Sequence, residues 1–450
     1  MNDSLDALFP AHLSMIMQRM DRALAACGFD AAVIHAGAPL TLFLDDQDYP
    51  FKPSPHFKAW VPLVGHPHCA IVHRPGRRPT LLFHRPEDFW HQPPAVPAEG
   101  WTREFDVVTF ATPAEAPAHW QSLERVALIG PAAAFAGADP SAVNPTQLLS
   151  RLHYDRAIKT PYELECMRRA SRLGARGHRA ALDSFRSGGS EYEAHMRYLE
   201  ACGQREEEMP YNNIVAYNEH GAVLHYQHLD RSAPAERRSF LLDAGAQYRG
   251  YAADITRTHA AGPGIFADLV TALDGAQQAM CSEVCAGTDF REVHLSAHRR
   301  VGDVLAAAGL TTLAGQDALE AGLTMVFFPH GIGHLLGLQV HDVGGVMGDP
   351  AGRERARPAG HPYLRLTRML EPGLVVTIEP GIYWIDSLLK AATADKRREL
   401  IHWPVVESLK PFGGIRIEDN VVATGAGPEN LTRDAFAAVA AWTPRLFART

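Results

Sequence analysis

The sequence predicts an α+β protein in which a smaller α/β N-terminal domain precedes a C-terminal domain with an antiparallel sheet backed by helices. Three observations predict this fold class. At 450 residues the chain exceeds the usual size of one hydrophobic core. In its first third, short apolar segments alternate with helical and loop segments, as in an α/β layer. In the remainder, long amphipathic helices are interleaved with short strand-like segments that carry charged residues.

The N-terminal domain is predicted over residues 1–155. It opens with an amphipathic helix over roughly 11–27. Four apolar segments, separated by Pro- and Gly-rich loops, are then predicted as strands. They are AAVIHAG (31–37), CAIVHR (69–74), PTLLFH (79–84) and RVALIG (125–130).

The C-terminal domain is predicted over residues 156–450. Its first helix has a visible start, with Thr160 as N-cap, Pro161 at the first helical position and Glu163 in the first turn. The predicted helices are PYELECMRRASRLGARGHRAALDSF (161–185), GGSEYEAHMRYLEACGQ (188–204), 264–286 and 289–308. The segment 348–363 is predicted to be a mobile loop beside the functional site.

Composition and charge exclude several classes of protein. With 46% hydrophobic and 21% charged residues the chain has an ordinary globular composition, and its net charge of −8 indicates no surface for nucleic acid. The start MNDSLDALFPAHLSMIMQRM lacks the basic and apolar regions of a signal peptide. A membrane-spanning helix needs about 18 consecutive apolar residues, and no apolar run in the sequence approaches that length. We therefore expect neither a nucleic-acid nor a membrane partner.

The six cysteines are scattered and include no CxxC pair, so we interpret them as reduced thiols of a cytoplasmic protein. Cys281 and Cys285 are predicted to share one helix face at i, i+4. Packing inside the helix is a better interpretation of this pair than metal ligation.

Four short strings place acidic residues and a histidine inside apolar, strand-like sequence. Carboxylates are rarely buried unless something cationic pairs with them. The strings are LLDAGAQYRGYAADITRTH (241–259), FFPHGIGHLLGLQVHD (327–342), TIEPGIYW (377–384) and GGIRIEDN (413–420).

The charged residues of these strings form a set of hard donors that is typical of a divalent metal site. Two carboxylates alone could share a proton or meet an arginine, but here four accompany one imidazole. Four negative charges balance two divalent cations, which favours a site for two ions. A single histidine among oxygens favours manganese over structural zinc, although zinc or cobalt could still bind. The set is Asp243, Asp254, His334, Glu379 and Glu418.

The first string is predicted to fold as a hairpin. Asp243 and Asp254 are equidistant from the Tyr248–Arg249 bond, so a turn there, just before Gly250, would set the two aspartates opposite each other. Opposite residues of an antiparallel pair have Cβ atoms about 4.5–5.5 Å apart, close enough to reach two ions roughly 3.5–4 Å apart. A bulge would shift this register, and one DxG motif taken alone more often marks a turn with a solvated aspartate.

Two other strings carry charge at strand positions. In GGIRIEDN, isoleucines alternate with Arg416 and Glu418, so a strand places both charged groups on one face. Arg416 can then orient and neutralise the metal-side carboxylates, although the pair taken alone also fits a surface ion pair on an edge strand. In TIEPGIYW, the proline after Glu379 restricts Glu379 to an extended backbone, which suits a ligand at a strand end.

Three histidines, His330, His334 and His341, stand in the glycine-rich second string. One of them is needed as a metal ligand, and the others can carry protons for a reaction at a metal-bound water. Since the chain has 23 histidines, a core or surface role is the simpler interpretation of any one of them taken alone.

The four strings, in this order and spacing, resemble the metal site of the pita-bread metallopeptidases, and the wider match is to the bacterial Xaa-Pro dipeptidases, or prolidases. The likeness covers nearly the whole chain. It extends through FLDDQDYPFKPSPHFKAW (43–60), RPEDFWH (85–91), PYNNIVAYNEHGAVLHY (210–226), YLRLTR (363–368) and LKPFGG (409–414). The resemblance implies a pita-bread catalytic domain, a homodimer and two Mn²⁺ per subunit, with Co²⁺ or Zn²⁺ as substitutes.

The resemblance also implies a reaction, the hydrolysis of Xaa-Pro dipeptides to free proline by a hydroxide that bridges two metals. In the family pattern, Asp243 binds one metal, Asp254 and Glu418 bind both, and His334 and Glu379 complete the shell of the other. None of these positions departs from the pattern, which disfavours metal-free relatives such as creatinase. Leu335 stands where some relatives have proline, a difference that affects only the pocket wall.

Other roles follow from the same resemblance. The family's catalytic histidines match His225 and His341, Glu379 is the expected carrier of the water's proton, and Arg416 matches an arginine beside the bridging glutamate. The expected substrate contacts are Arg365, which would hold the terminal carboxylate, Tyr211 and His330, which would line the pocket, and Asp45, which would contact the substrate amine in a neighbouring subunit.

Other activities stay open at the level of sequence. An aminopeptidase P would use the same metals on longer peptides with proline second, whereas a methionine aminopeptidase would leave the N-terminal domain without a role. Some relatives of this bacterial branch hydrolyse organophosphate triesters, which we expect as a side activity because the same nucleophile attacks phosphorus. A binding protein on an inactive pita-bread scaffold is disfavoured, since all five ligands are present.

Overall fold

The computed structural model describes residues 3–90 and 92–440. His91, the end of the RPEDFWH string, and residues 441–450 of the predicted C-terminal domain lie outside the described residues. The chain forms two compact units, one reaching to Cys166 and including Asp349–Arg353, the other comprising the remainder. The predicted domain limits, 1–155 and 156–450, stay a prediction.

The first unit is built on one five-stranded mixed sheet. Its helices and strands are α1 (Asp3–Cys27), β1 (Ala31–His35), α2 (Pro55–Lys58), β2 (Ala70–His73), β3 (Thr80–His84), β4 (Asp106–Phe110), β5 (Val126–Ile129) and α3 (Thr146–Arg156). The strand order is β4-β3-β2-β1-β5, with β1 parallel to β5 and β3 parallel to β4. The four predicted strands are confirmed as β1, β2, β3 and β5. The sequence did not predict β4, an edge strand with one buried residue, because it lacks an apolar run.

The opening helix is longer than predicted. It begins at Asp3 instead of near residue 11 and includes Pro10. A proline inside a helix costs about 3 kcal/mol. The added turns bury Leu5 and Phe9 almost completely, and each such burial contributes about 1.5–3 kcal/mol. Packing of this apolar face, with Phe9 against the ring of Trp101, therefore offsets the proline.

The second unit is α+β, and each of its strand pairs is antiparallel, which confirms the predicted fold class. α4 (Pro161–Arg186) begins in the first unit and continues into the second. The other helices and strands are α5 (Glu191–Cys202), β6 (Ile214–Tyr217), β7 (Ser239–Asp243), β8 (Gln247–Tyr248), β9 (Tyr251–Ala252), β10 (Thr256–Ala260), α6 (Ile265–Cys281), α7 (Phe290–Ala307), α8 (Gly315–Glu320), α9 (Thr324–Phe327), β11 (Val375–Ile378), β12 (Gly381–Tyr383), α10 (Asp386–Thr393), α11 (Trp403–Leu409), β13 (Gly414–Arg416), β14 (Asp419–Val422), β15 (Glu429–Asn430) and α12 (Leu431–Ala440). The sheets have the orders β10-β7-β6, β11-β14-β15, β12-β13 and β8-β9. Across the described residues, no helix is long and apolar enough to span a membrane.

The predicted start of α4 is confirmed in atomic detail. The N–H of Thr160 donates to Oε2 of Glu163 at 2.8 Å, and the N–H of Glu163 donates to Oγ1 of Thr160 at 3.4 Å. This reciprocal pair is a capping box, which satisfies two N–H groups at the helix terminus. α4 and α5 then pack on β6 and β7 through a shared apolar core that includes Phe185, Tyr198 and Phe240.

The helix α6 ends earlier than predicted, at Cys281 instead of near residue 286. Val284 is fully buried, and the N–H of Gly287 donates to the carbonyl of Leu370 at 2.7 Å. These tertiary contacts hold the chain out of helical geometry. Cys285 therefore lies outside the helix, and the predicted shared face with Cys281 does not form.

The hairpin of the first string forms, but its predicted register is wrong by two residues. Asp243 pairs with Thr256, and the turn centres on Arg249 and Gly250, whose φ angles are 51° and 87°. A two-residue hairpin turn of this kind needs positive φ at both central residues, so the turn includes the glycine. A shift by two residues preserves the face. Asp243 and Asp254 are consequently diagonal neighbours on the same side of the hairpin.

Candidate metal centre

The five predicted metal ligands line one cavity of about 460 Å³ in the second unit. Each carboxylate stands at or near a strand end: Asp243 ends β7, Asp254 precedes β10, Glu379 follows β11 and Glu418 precedes β14. Strand ends rigidly fix side chains while leaving them accessible. The structure therefore brings together side chains that are up to 175 positions apart, from Asp243 to Glu418.

The histidine ligand candidate is carried by a segment that lies against β11. The N–H of Thr377 donates to the carbonyl of His334 at 3.0 Å, and the N–H of His334 donates to Oγ1 of Thr377 at 3.1 Å. A Cβ at Gly333 would overlap the carbonyl oxygen of Thr377. Only glycine at this position permits so close an approach, which explains one glycine of the HGIGH sequence.

The imidazole of His334 is oriented for ligation. Its Nδ1–H donates to the carbonyl of Leu335 at 3.0 Å, which leaves Nε2 free to bind a cation. Nε2 lies 3.5 Å from Oδ2 of Asp254 and 3.5 Å from Oε1 of Glu379. Although burial opposes the charged form, these two carboxylates raise the pKa of His334. A bound metal ion would take the place of that proton.

The other carboxylates of the set are also held by hydrogen-bond partners at short distance. The hydroxyl of Tyr211 lies 2.7 Å from Oδ1 of Asp243 and 2.5 Å from Oδ1 of Asp254, so that its one proton serves both. Thr256 donates from Oγ1 to Oε2 of Glu418 at 2.7 Å. One ligand atom from each of Asp254, His334 and Glu418 lies within 4.8 Å of the other two.

The raised pKa values of the buried carboxylates indicate that the site binds cations. Burial raises the pKa of Glu379 to about 7 and, helped by the charges of Asp254 and Glu379, raises the pKa of Glu418 well above its usual range. Burial also raises the pKa of Asp243, against the opposing effect of Arg416. Buried carboxylates of one sign repel each other unless a cation compensates them. An oxygen-rich donor set with one imidazole fits divalent metal ions, so the residues present match a divalent metal cofactor.

Arg416, which also lines the cavity, belongs to a chain of hydrogen bonds beside the ligands. It donates from Nη2 to Oδ2 of Asp243 at 2.8 Å and from Nη1 to the hydroxyl of Tyr383 at 2.9 Å. Tyr383 donates to Nε2 of His330 at 2.9 Å, and Nδ1 of His330 donates to the carbonyl of Gly331 at 2.9 Å. Burial and the charge of Arg416 lower the pKa of His330 to about 3, which keeps this ring neutral. Every donor of the chain thus has an acceptor.

The predicted catalytic and substrate residues mostly line the same cavity. His225, His330, His341 and Arg365 are among its lining residues, and the ring of His341 lies 4.4 Å from that of His334. Arg365 has no carboxylate partner within the described residues. Part of the wall comes from the segment 348–363, which carries no helix or strand beyond isolated bridges. The predicted mobility of this segment stays a prediction.

Two predicted substrate contacts do not line the cavity. Tyr211 is occupied by the carboxylates of Asp243 and Asp254, so the structure places it behind the ligands and not in the pocket wall. Asp45 lies exposed in the first unit, where its carboxylate accepts hydrogen bonds from the N–H groups of Asp46 and Gln47. Because its expected contact is with a neighbouring subunit, its role stays a prediction.

Sequence reasoning missed several residues that hold the site. Tyr383 was missed although it stands four positions after Glu379, on the same face of an extended segment, a spacing that could have identified it. Asn420, which accepts a hydrogen bond from the N–H of Asp254 at 3.0 Å, is the final residue of the last string and has no distinguishing signal. Thr256 and Thr377 were also missed, since isolated threonines in strands are common.

A buried glutamate that was not predicted holds the segment of His225. Glu191, at the start of α5, is 1% exposed and accepts four hydrogen bonds of 2.7–2.9 Å. The donors are the N–H of Tyr217, the ring of His220, the hydroxyl of Tyr226 and the N–H of Asp230. One carboxylate therefore gathers both ends of the segment that brings Leu224 and His225 to the cavity.

Comparison with known proteins identifies the family. The model of the Xaa-Pro dipeptidase N-terminal domain matches residues 7–154, and that of metallopeptidase family M24 matches residues 165–425. An Xaa-Pro dipeptidase of Xanthomonas campestris pv. campestris (strain B100) is 50% identical over 438 residues, which cover 97% of this chain and 99% of that protein. An Xaa-Pro dipeptidase of Stenotrophomonas maltophilia (strain K279a) is 48% identical over 435 residues, covering 96% and 98%.

Solved structures agree on the fold. The aminopeptidase PepP of Pseudomonas aeruginosa superposes with a TM-score of 0.69 at 23% identity, covering 96% of this chain and 99% of that one. Zn-substituted aminopeptidase P of E. coli gives a TM-score of 0.67, also at 23% identity, covering 95% and 99%. The predicted family and fold are confirmed: the chain belongs to metallopeptidase family M24, as an enzyme that carries the N-terminal domain of the Xaa-Pro dipeptidases.

Proposed function

We propose that this enzyme hydrolyses Xaa-Pro dipeptides and releases free proline, with two divalent ions per subunit as its cofactor. The observation that carries the proposal is a single cavity in which four carboxylates and His334 converge beside Arg365, a cation without a carboxylate partner among the described residues. The 50% identity to an Xaa-Pro dipeptidase over 97% of the chain supports it.

The ligand set would divide between two ions as in the family pattern. Asp243 would hold one ion, His334 and Glu379 the other, and Asp254 and Glu418 both. This oxygen-rich set favours Mn²⁺, with Co²⁺ or Zn²⁺ as substitutes. When bound, the ions supply the Lewis acidity that activates a water for attack and polarises the scissile carbonyl.

The chain's own residues account for selectivity and proton transfer. Arg365 offers a bidentate clamp for a free carboxylate, so a residue following proline would place an amide where the clamp needs a charge. The nitrogen of an Xaa-Pro bond carries no proton, and proline leaves only when that nitrogen is protonated. Glu379 would accept the proton of the attacking water and deliver it there. His225 or His341 would donate a hydrogen bond to the oxyanion.

Further parts of the proposal concern side activity and context. The same centre would hydrolyse organophosphate triesters slowly, because an activated water attacks phosphorus as well as carbon. A homodimer would let Asp45 contact the substrate amine in the neighbouring subunit. The six free thiols support a reducing compartment, the cytoplasm.

The test compares substrates that differ only at the carboxylate. Mn²⁺-loaded enzyme should release proline from Ala-Pro and act far more slowly on Ala-Pro amide and on a tripeptide with proline second. Arg365→Ala should lower kcat/KM for Ala-Pro by about 10- to 100-fold, the loss expected for charge-assisted hydrogen bonds, mainly through KM. The matched control is Arg353→Ala, an exposed arginine paired with Asp349. Protein with bound metal that releases no proline would refute the proposal, and tripeptide preference would indicate an aminopeptidase P.

A further inference from the structure

A second group of metal-ligating side chains lies outside the cavity of the metal centre. His294 and His298 project from α7 at i, i+4, and His361 comes from the segment 348–363. All three are buried, with ring centroids 4.6 to 4.7 Å apart. One ring nitrogen from each lies within 4.8 Å of the other two. The proposed reaction uses none of them.

Hydrogen bonds define the protonation of these rings. The N–H of Ile332 donates to Nδ1 of His294 at 3.3 Å, so His294 carries its proton on Nε2 and donates it to Nδ1 of His361 at 2.9 Å. Nδ1 of His298 pairs with Oγ1 of Thr324 at 2.9 Å. Its Nε2 is buried and has no hydrogen-bond partner within the described residues. A buried imidazole nitrogen normally has a partner. Other histidines of the described residues also have an unpartnered ring nitrogen, but the ring of His298 lies within 4.7 Å of two further imidazoles, which makes a shared ligand the best account of it.

We propose that His294, His298 and His361 form a binding site for a borderline divalent ion, Zn²⁺ foremost, separate from the oxygen-rich centre. Neutral imidazoles suit Zn²⁺, whereas Mn²⁺ prefers carboxylates, so the two sites would sort different ions. Zn–N bonds of 2.0–2.1 Å place tetrahedral ligand atoms about 3.4 Å apart. The nitrogens of His294 and His361, which are 2.9 Å apart, would therefore separate by about 0.5 Å, and a pair at the 4.8 Å limit would close by about 1.4 Å. Because burial lowers the pKa of His298 to about 2 and of His294 to about 3, these rings are neutral and ready to ligate.

Zn²⁺ binding at the three histidines would disturb the oxygen-rich metal centre. For Nε2 of His294 to ligate, its proton must move to Nδ1 of the same ring, and the hydrogen bond from the N–H of Ile332 is then lost. The carbonyl of Ile332 accepts the N–H of Glu379 at 2.8 Å. Ile332 also lies two residues before His334. Zn²⁺ at the three histidines is therefore expected to inhibit the enzyme by displacing this segment.

The experiment counts ions instead of activity. Wild type, His298→Asn, His361→Asn and the control His402→Asn, which changes an exposed histidine, are dialysed against Zn²⁺ and analysed for bound metal. Wild type and control should hold one more Zn²⁺ per chain than either cluster variant. Excess Zn²⁺ should inhibit Mn²⁺-loaded wild type several-fold more than His361→Asn. Equal stoichiometry in all four proteins would overturn the site.

A second measurement needs no variant. Co²⁺ bound by three imidazoles in a four-coordinate site absorbs visible light strongly, whereas Co²⁺ in a six-coordinate oxygen site absorbs weakly. Wild-type protein titrated with Co²⁺ should develop the strong bands after the oxygen-rich centre is filled with Mn²⁺. Weak absorption throughout the titration would overturn the proposal even if both cluster variants failed to fold. Neither the count of bound Zn²⁺ nor the absorption spectrum depends on dipeptide hydrolysis, so failure of the proposed function would leave both tests valid.

Discussion

Each candidate ligand of the metal centre is fixed by a neighbour that is not itself a ligand. Tyr211 joins Asp243 to Asp254, while Tyr383 links Arg416 to His330. Burial raises the pKa of Tyr383 to about 12, so its hydroxyl keeps its proton and stays a donor. Such outer contacts orient ligands and commonly matter nearly as much as the ligands themselves.

The Tyr383→Phe variant tests this orienting role of the outer contacts by removing a single hydroxyl group. Loss of the hydroxyl leaves Nη1 of Arg416 and Nε2 of His330 without their partner, and Arg416 is then less well held against Asp243. We expect Mn²⁺ affinity or kcat/KM to fall by about 10- to 100-fold. Calorimetric metal titration and Ala-Pro hydrolysis measure the two effects. Tyr192→Phe, on α5, is the control, and wild-type values for both quantities in Tyr383→Phe would contradict the role.

At the scale of secondary structure, the site depends on where elements begin and end. The carboxylates stand at strand ends, and the start of α5 supplies Glu191. His178, from the interior of α4, donates from its Nε2–H to the carbonyl of Ala244, directly after the end of β7, at 3.0 Å. Helix and strand termini leave backbone and side-chain groups free for such contacts. The same contacts make the elements sensitive to single changes.

Glu191→Gln should disturb the His225 segment without touching the ligands. A glutamine presents an amide NH₂ group to donors that now meet a carboxylate oxygen, so at least one of the four hydrogen bonds becomes a donor–donor clash. We expect kcat/KM to fall about tenfold and the unfolding free energy to fall by about 1–3 kcal/mol, with Mn²⁺ affinity unchanged. Glu200→Gln, an exposed residue of α5, is the control. A variant whose Mn²⁺ affinity falls in step with its activity would argue against a role in positioning His225.

His178 gives the α4 contact a pH dependence. Burial lowers the pKa of His178 to about 3, whereas in the unfolded chain histidine has a pKa of about 6.5. Between these values the unfolded state binds a proton that the folded state does not. The stability contribution is therefore complete above about pH 6.5 and is lost as pH falls below it, by at most about 1.4 kcal/mol per pH unit.

Urea unfolding at pH 7 and pH 5 measures this effect. The loss of stability on acidification should be smaller in His178→Asn than in wild type, by about 2 kcal/mol. Asparagine keeps a donor toward Ala244 but does not titrate. An identical loss in both proteins would show that other groups set the acid sensitivity.

At the scale of the whole molecule, the metal centre ties together strands from distant parts of the second unit. Its carboxylate ligands stand on or next to the ends of β7, β10, β11 and β14, and His334 comes from a segment that pairs with Thr377 of β11. An ion that bridges them binds the folded chain only, and its binding energy adds to folding stability. The second unit should consequently depend on its metals for stability as well as for activity.

Metal removal tests that dependence. Dialysis against a chelator should lower the unfolding temperature of the second unit, because an ion at about 100 times its Kd contributes about 2.7 kcal/mol. Mn²⁺ should restore the original value in calorimetry. The difference in unfolding temperature between metal-loaded and metal-free protein should be smaller for Asp254→Asn than for wild type. A wild-type unfolding temperature that does not change on chelation would contradict the expectation.

The sequence by itself determined the fold class, most helices and strands, and the residue types of the metal centre. These follow from local signals: apolar periodicity, the Thr160–Glu163 capping box, and charged residues inside apolar strings. Local signals also predicted that Asp243 and Asp254 share a face, because that depends only on odd or even spacing along the strands.

Only the tertiary structure decided the rest. The end of α6 was settled by the burial of Val284. The hairpin register became visible only in the structure, although its cause, the positive φ angles of Arg249 and Gly250, is local to the turn. Tyr383, Glu191 and the three-histidine cluster acquire their roles from partners far away in sequence. Such contacts produce no periodic pattern in the sequence, because they depend on distances between atoms that only folding brings together.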